Sequence, residues 1–148
     1  SYLANVLALR EVRAHGAFEG LLRGEDGSWS EATTSNLFTV SGGRVTTPGV
    51  DDHILPGITR ALVLSLARSE GIEVEEARLD DEALDTADEI FLTSSIKEVL
   101  PISRLDGIPV ADQVPGPVTR RLMGLYSRAV IRVQQLKADR IADVYPRV

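Results

Sequence analysis

Pro56, Gly57, Ile58 and Thr59 lead directly into an apolar periodic run that closes at Gly71. The first amides of a helix have no intrahelical acceptors, and the aligned peptide dipoles add partial positive charge there. A glycine at that point lets a ligand approach the backbone, and the Thr59 hydroxyl adds a donor. The chemistry this arrangement suits is anion binding, most simply of phosphate. Taken alone, the same residues also fit a threonine cap behind a Pro-Gly turn. A second stretch, "FLTSSIKEVLP", runs from an apolar strand into Thr93, Ser94 and Ser95 and then into what its pattern suggests is a helical turn stopped by Pro101. It offers hydroxyls to a phosphate oxygen, or a Ser/Thr cap in a turn. A third residue, Glu31, opens the Thr33, Thr34, Ser35 loop of "SEATTSNLF". By pattern it is a solvated hairpin residue; functionally, a buried cationic ligand group would hold it ionised.

Other chemistries find less support. The chain has no cysteine, so disulfides and thiolate metal sites are excluded. Asp51, Asp52 and His53 are one histidine beside two adjacent acids, which is not a ligand spacing, so no metal site is expected. No serine stands with a base histidine in a pattern that suggests a triad. Of the two lysines, Lys97 reads as a helix-surface ammonium and Lys137 as a solvated residue of the last helix. The net charge of -6 argues against a nucleic-acid surface, and Arg120, Arg121, Arg128 and Arg132 read as the wet side of a helix. No apolar run approaches the roughly 18 residues that a membrane-crossing helix needs. A cytoplasmic protein without membrane or nucleic-acid partners is the default expectation.

The elements that must position these residues follow from periodicity and turn chemistry. Leu3, Val6, Leu7 and Val12 share helical spacing, which predicts a helix over 2–14 before Gly16. Strand signals follow in "FEGLLR", in one extended segment "SWSEATTSNLFTV", and in "RVTTP" after an "SGG" turn. A helix over 57–70 precedes a strand "IEVEEARL", a short acidic helix "DDEALDTA" and an apolar strand "DEIFLTS". "ISRLDGIPV" reads as strand and turn, and 116–144 as a long terminal helix. Strands and helices mix without strict alternation and no linker interrupts them, so a single α+β domain over 1–148 is expected. At 148 residues and 43% hydrophobic, such a domain can bury a core.

"EATTSNLF", then "TP…ILPGITR", then "ADEIFLTSSIKEVLP", occur in an order that resembles the large domain of the fold-type IV pyridoxal-phosphate enzymes. That family includes branched-chain and D-amino-acid aminotransferases and aminodeoxychorismate lyases. The likeness runs from "YLANVLA" to Gly116, Pro117, Thr119, Leu122 and Tyr126 of the last helix. It implies a mixed β pseudo-barrel with packed helices and pyridoxal 5'-phosphate as cofactor. Glu31 matches the carboxylate that pairs with the pyridine nitrogen. Ile58 and Thr59, just after Gly57, match one phosphate contact, and Ser95, with Ser94 beside it, the second. Leu55 matches the side chain packed on the ring, and Thr33, Thr34 and Ser35 the loop bordering the substrate. Ala32 stands where a glycine is usual, and Ser95 where a threonine is common.

The resemblance also implies a Schiff-base lysine about three residues upstream of Ser1, together with a smaller N-terminal domain. The expectation is therefore the cofactor-binding part of a longer aminotransferase, inactive alone. Amino acids and keto acids would be its substrates, and a homodimer its assembled form. A lyase releasing pyruvate to leave an aminobenzoate is the alternative within the family. A stand-alone domain binding a phosphate ligand or a partner chain is the alternative outside it.

Overall fold

The computed structural model describes residues 2–50 and 54–144. Helix α1 (Tyr2–Ala14) precedes strands β1 (Leu21–Arg23), β2 (Trp29–Ala32), β3 (Asn36–Ser41) and β4 (Arg44–Thr47). Helix α2 (Ile58–Ser69), strand β5 (Val74–Glu76) and the short helix α3 (Asp81–Asp85) come next. Strands β6 (Glu89–Ser94), β7 (Glu98–Pro101), β8 (Arg104–Leu105) and β9 (Ile108–Pro109) lead to helix α4 (Pro117–Val144). The fold is the mixed α+β arrangement expected.

Strand β3 is the hub of the seven-stranded sheet. One of its edges is shared by β2, at Glu31–Asn36, and β4, at Thr39–Thr46. Along the other edge β6 runs antiparallel in continuous register from Asn36–Thr93 to Val40–Glu89. Beyond β5, which joins β4 in parallel, Leu79 bridges back to Trp29, so the sheet curls toward closure. Central strands buried on both faces read as unbroken apolar runs. That is what "NLFTV" and "EIFLT" are, and apart from two threonines and the end residues Asn36 and Glu89 they carry only apolar side chains.

Alternation sorts those residues into two cores. Phe38, Val40, Val45, Phe91 and Val99 face α2 and α4, meeting Val63, Leu64, Ala67, Leu122 and Tyr126. Phe38 and Phe91 stack with ring centroids 4.7 Å apart. Leu37, Ile90 and Leu92 face the other way, onto Leu79, Leu84 and Ala87. Arg60, Val63, Leu64 and Ala67 form the buried stripe of α2 at helical spacing. The helix stops where Gly71 takes φ 71°, a geometry that favours glycine. Arg120, Arg121, Arg128 and Arg132 of α4 are exposed, as expected.

Three expectations change. Residues 28–40 are not one extended segment: the chain folds back between β2 and β3 at Thr33–Ser35. The helical turn expected at 95–101 is instead a hairpin turn at 95–97 followed by β7, in register with β6 from Ser94–Glu98 to Phe91–Pro101. Val99 is needed in the core, and strand geometry puts it there. The strands expected at 18–23 and 72–79 shrink to Leu21–Arg23 and Val74–Glu76, because neighbouring strands pair only over those residues.

Two polar ties hold the helices on the sheet. Glu89, buried at the start of β6, accepts the Val118 and Thr119 amides of α4 at 3.0 and 2.8 Å. Glu76 accepts from Arg60 and Arg68 of α2 at 2.8 and 2.9 Å. Hydrogen bonds from Arg60 first, then Arg68, outweigh burial and hold the Glu76 carboxyl below its ordinary value of 4.5.

Removing the Glu89 acceptor should therefore strand two buried amides. Glu89→Ala is expected to cost about 2 kcal/mol, read as a lower denaturant midpoint at unchanged slope. Gly116→Ala should destabilise by a different route, since a Cβ there would lie 2.3 Å from the Glu89 carboxyl carbon. Glu76 gives a pH signature. Its depressed folded value means the stabilisation is complete above pH 4.5 and fades as the pH falls through that lower value. Unfolding midpoints followed downward from about pH 6 should fall less steeply in Glu76→Gln than in the unsubstituted protein.

Candidate functional site

The turn before α2 is held at one residue. Glu31 Oε2 accepts the Leu55 amide at 3.1 Å, and Asn36 Nδ2 donates to the Leu55 carbonyl at 2.9 Å. Glu31 and Asn36 are a register pair of β2 and β3, so they stand side by side on the helix-facing side of the sheet. Gripped at both its N–H and its C=O, Leu55 fixes where α2 starts. The Gly57 amide also donates to the Leu55 carbonyl, at 2.8 Å.

Gly57 is the N-cap, and α2 has no side-chain cap at all. Thr59 is a buried second residue of the helix, which removes the simple threonine-cap reading. The reason for glycine also differs from the one expected. A Cβ at position 57 would lie 2.2 Å from Asn36 Oδ1, so the missing side chain makes room for Asn36 rather than for a ligand. Other helix starts in the chain are treated differently. The Asp80 side chain caps α3 by accepting from Ala83 N, and Glu89 serves α4. At α2 the leading amides are left to whatever anion can reach them.

Asn36 also pairs with Thr93 across the next strand boundary. The two hydroxyl stretches, some 35 residues apart in sequence, are thus joined through one asparagine, which bonds the Leu55 carbonyl ahead of α2 and pairs in register with Thr93. Ser94 is half-buried and its Oγ accepts the Lys97 amide at 3.1 Å, while Ser95 is exposed in the hairpin turn. Since no helix follows these serines, their donors are hydroxyls and turn amides and not a helix terminus.

Buried side-chain atoms without a partner gather at the same end of the sheet. They are Ser35 Oγ, Thr93 Oγ1 and Arg60 Nε, with Thr119 Oγ1 elsewhere, among the described residues. Buried polar groups are nearly always satisfied, and these three belong to the neighbour of Asn36 in sequence, its partner in register and the first turn of α2, so this end of the sheet has unmet polar capacity. Leu55 and Ile58 are exposed beside it at 69% and 83%. The donor set suits an anionic group, with the Glu31 carboxylate available to a cation or an N–H. No metal-holding group of His, Cys, Asp and Glu occurs among the described residues, and Asp51, Asp52 and His53 lie outside them.

Lys97 is not the solvated ammonium expected. Its side chain is 18% exposed, paired with Glu19, bonded to Thr34 Oγ1 at 2.7 Å and set 4.9 Å from the Phe18 ring centre. Sequence reasoning missed Asn36, Glu19 and Lys97 as participants. Asn36 had one available signal, a polar residue starting an otherwise apolar strand five positions after Glu31.

Known proteins resemble the chain in sequence and in fold. The family model described as amino-transferase class IV matches residues 1–105. The branched-chain-amino-acid aminotransferase of Escherichia coli is 41% identical over 122 residues, which span 82% of this chain and 40% of that protein. A probable branched-chain-amino-acid aminotransferase from Aquifex aeolicus is 36% identical over 131 residues, 88% of this chain and 42% of that one. A solved T.th. branched-chain amino acid aminotransferase with pyridoxamine 5'-phosphate superposes with TM-score 0.83 at 38% identity over 87% of this chain and 43% of its own. The chain thus spans about two fifths of the length of the relatives it matches. A matched model over more than two thirds of the residues, and a shared fold at close to 40% identity, place the chain in the class IV aminotransferase family.

Proposed function

We propose that this chain forms the cofactor-binding part of a pyridoxal-phosphate-dependent branched-chain amino acid aminotransferase. The observation that carries the reading is the uncapped α2 N-terminus, set in place by Glu31 and Asn36 through Leu55. The matched relatives named above, all aminotransferases for branched-chain amino acids, favour amino transfer over the lyase reaction. Amino acids and 2-keto acids are then the substrates.

In this reading the Ile58 and Thr59 amides and the Thr59 hydroxyl hold phosphate oxygens, with Ser94 and Ser95 giving the second contact. Gly57 keeps Asn36 in place beneath them. Glu31 holds a proton on the pyridine nitrogen, and Leu55 lies against one face of the ring. When bound, the protonated ring supplies an electron sink for charge developing at the substrate α-carbon. Thr33, Thr34 and Ser35 border the substrate. Neither lysine here suits covalent attachment of the cofactor: Lys97 is engaged by Glu19 and Thr34, and Lys137 is exposed on α4. Exposed Leu3, Val6 and Leu7 on α1 support the dimer included in this reading.

The test uses the full-length protein carrying this sequence. Pyridoxal phosphate should bind with the visible absorbance of the attached cofactor, and leucine, isoleucine or valine should yield the keto acid with glutamate formed from 2-oxoglutarate. Absence of cofactor absorbance would overturn the reading. Glu31→Gln should keep the cofactor and lower turnover on the order of a hundred-fold, because the ring loses its protonated nitrogen. Unchanged turnover would remove that role from Glu31. Gly57→Ala should displace Asn36 and weaken cofactor affinity about ten-fold, measured by titration in competition with inorganic phosphate.

A further inference from the structure

Three connections distant in sequence meet at one buried ion pair. Glu19, in the link between α1 and β1, has a side chain only 4% exposed. Its Oε1 accepts the Thr33 hydroxyl and, at 2.6 Å, the Thr34 amide. Its Oε2 accepts the Thr34 hydroxyl at 3.0 Å and the Lys97 ammonium. Burial works against ionisation of Glu19. Hydrogen bonds from Lys97 and Thr33, the Lys97 charge and the Thr34 bond outweigh it and hold the carboxyl below its ordinary value. Lys97 is itself fixed at both ends. Its amide donates to Ser94 Oγ, and its ammonium reaches Glu19, Thr34 Oγ1 and the face of Phe18.

We infer that Lys97 and Glu19 are positioning residues that lock the Thr33–Ser35 turn against the β6–β7 turn, setting the substrate side of the pocket without holding the cofactor. The inference rests on the functional reading above, in which Thr33–Ser35 border the substrate. The geometry separates the two tasks. The β2–β3 hairpin is closed independently by the Ala32 amide donating to the Ser35 carbonyl at 2.7 Å, and backbone bonding of the Thr33 amide to the Gly20 carbonyl at 2.9 Å ties it to the lead-in of β1. Glu31 and Asn36 hold Leu55 from strand positions. Loss of the Lys97 ammonium therefore frees the tip of the turn at Thr34 and leaves the cofactor clamp intact. A buried carboxylate stripped of its cation also loses its fixed orientation, so the Thr34 amide loses a well-placed acceptor.

Lys97→Met in the full-length holoenzyme should raise KM for the branched-chain donor on the order of ten-fold, with kcat within about three-fold and cofactor affinity unchanged. Amide hydrogen exchange over 33–35 should quicken by a similar factor with or without substrate. Lys97→Arg should recover most of both losses. Adding Glu19→Gln to Lys97→Met should change KM little further, because the pair acts as one unit. A KM that stays at the unsubstituted value would overturn the inference. So would a cofactor affinity that falls in step with KM, or an additive double variant. Exchange at 33–35 does not require turnover. Unprotected amides there in the unsubstituted protein would sink the lock itself, whereas failure of the functional reading would show earlier, as missing cofactor absorbance.

Discussion

The position of the Leu55 backbone governs the site. A helix N-terminus is useful only if it points at the ligand, and α2 is steered by two side chains that grip the peptide two residues before its N-cap. Both come from the same rung of the sheet, so the grip is as rigid as β3 is. Strand β3 in turn is paired along both edges and buried on both faces, with Phe38 stacked on Phe91. The most rigid part of the fold is thus connected by one register pair to the turn where an anion would bind, which suits a site needing placement to a fraction of an ångström.

The treatment of helix ends shows where stability has been given up. A side-chain cap contributes about 1 kcal/mol, and the chain takes that gain at α3 with Asp80 and at α4 with Glu89. It forgoes it at α2, where Gly57 caps nothing. A serine or aspartate there would supply an intramolecular acceptor for amides that are otherwise open to an anion. Its Cβ would also expel Asn36 and release the Leu55 carbonyl. Glycine at this position keeps the amides available and the clamp closed.

Much of the fold could be read from local pattern, because its central strands are continuous apolar runs and α2 carries a clean stripe ending in a left-handed glycine. The Gly57–Thr59 stretch stood out as a helix start because helix-end physics is local, whereas Glu31 read by pattern as a solvated hairpin residue and drew a role only from the resemblance. What was hidden depends on register. "SSIKEVLP" has the composition of a helical turn, and only pairing with β6 makes it a strand. Asn36 looks like any polar residue at a strand start until the hairpin sets it beside Glu31. Lys97 and Glu19 are 78 residues apart, and nothing in either segment announces the other. The buried charge of Glu19 was invisible for the same reason: burial belongs to the assembled sheet.

Arg60 adds a further physical argument. A cation in the first turn opposes the helix dipole, typically by a few tenths of a kcal/mol or more. This one is 5% exposed, with Nε unpartnered among the described residues. Its bonds to the Pro48 carbonyl and Glu76 satisfy one terminal nitrogen and offset part of the charge. Glu76 is shared with Arg68, however, so one carboxylate faces two guanidinium groups. The start of α2 therefore carries two uncompensated features of the same sign, bare amides and a half-neutralised arginine. Each is unfavourable in isolation; the arginine is offset from the sheet side by the Pro48 carbonyl and Glu76, and the amides stay open to an anion.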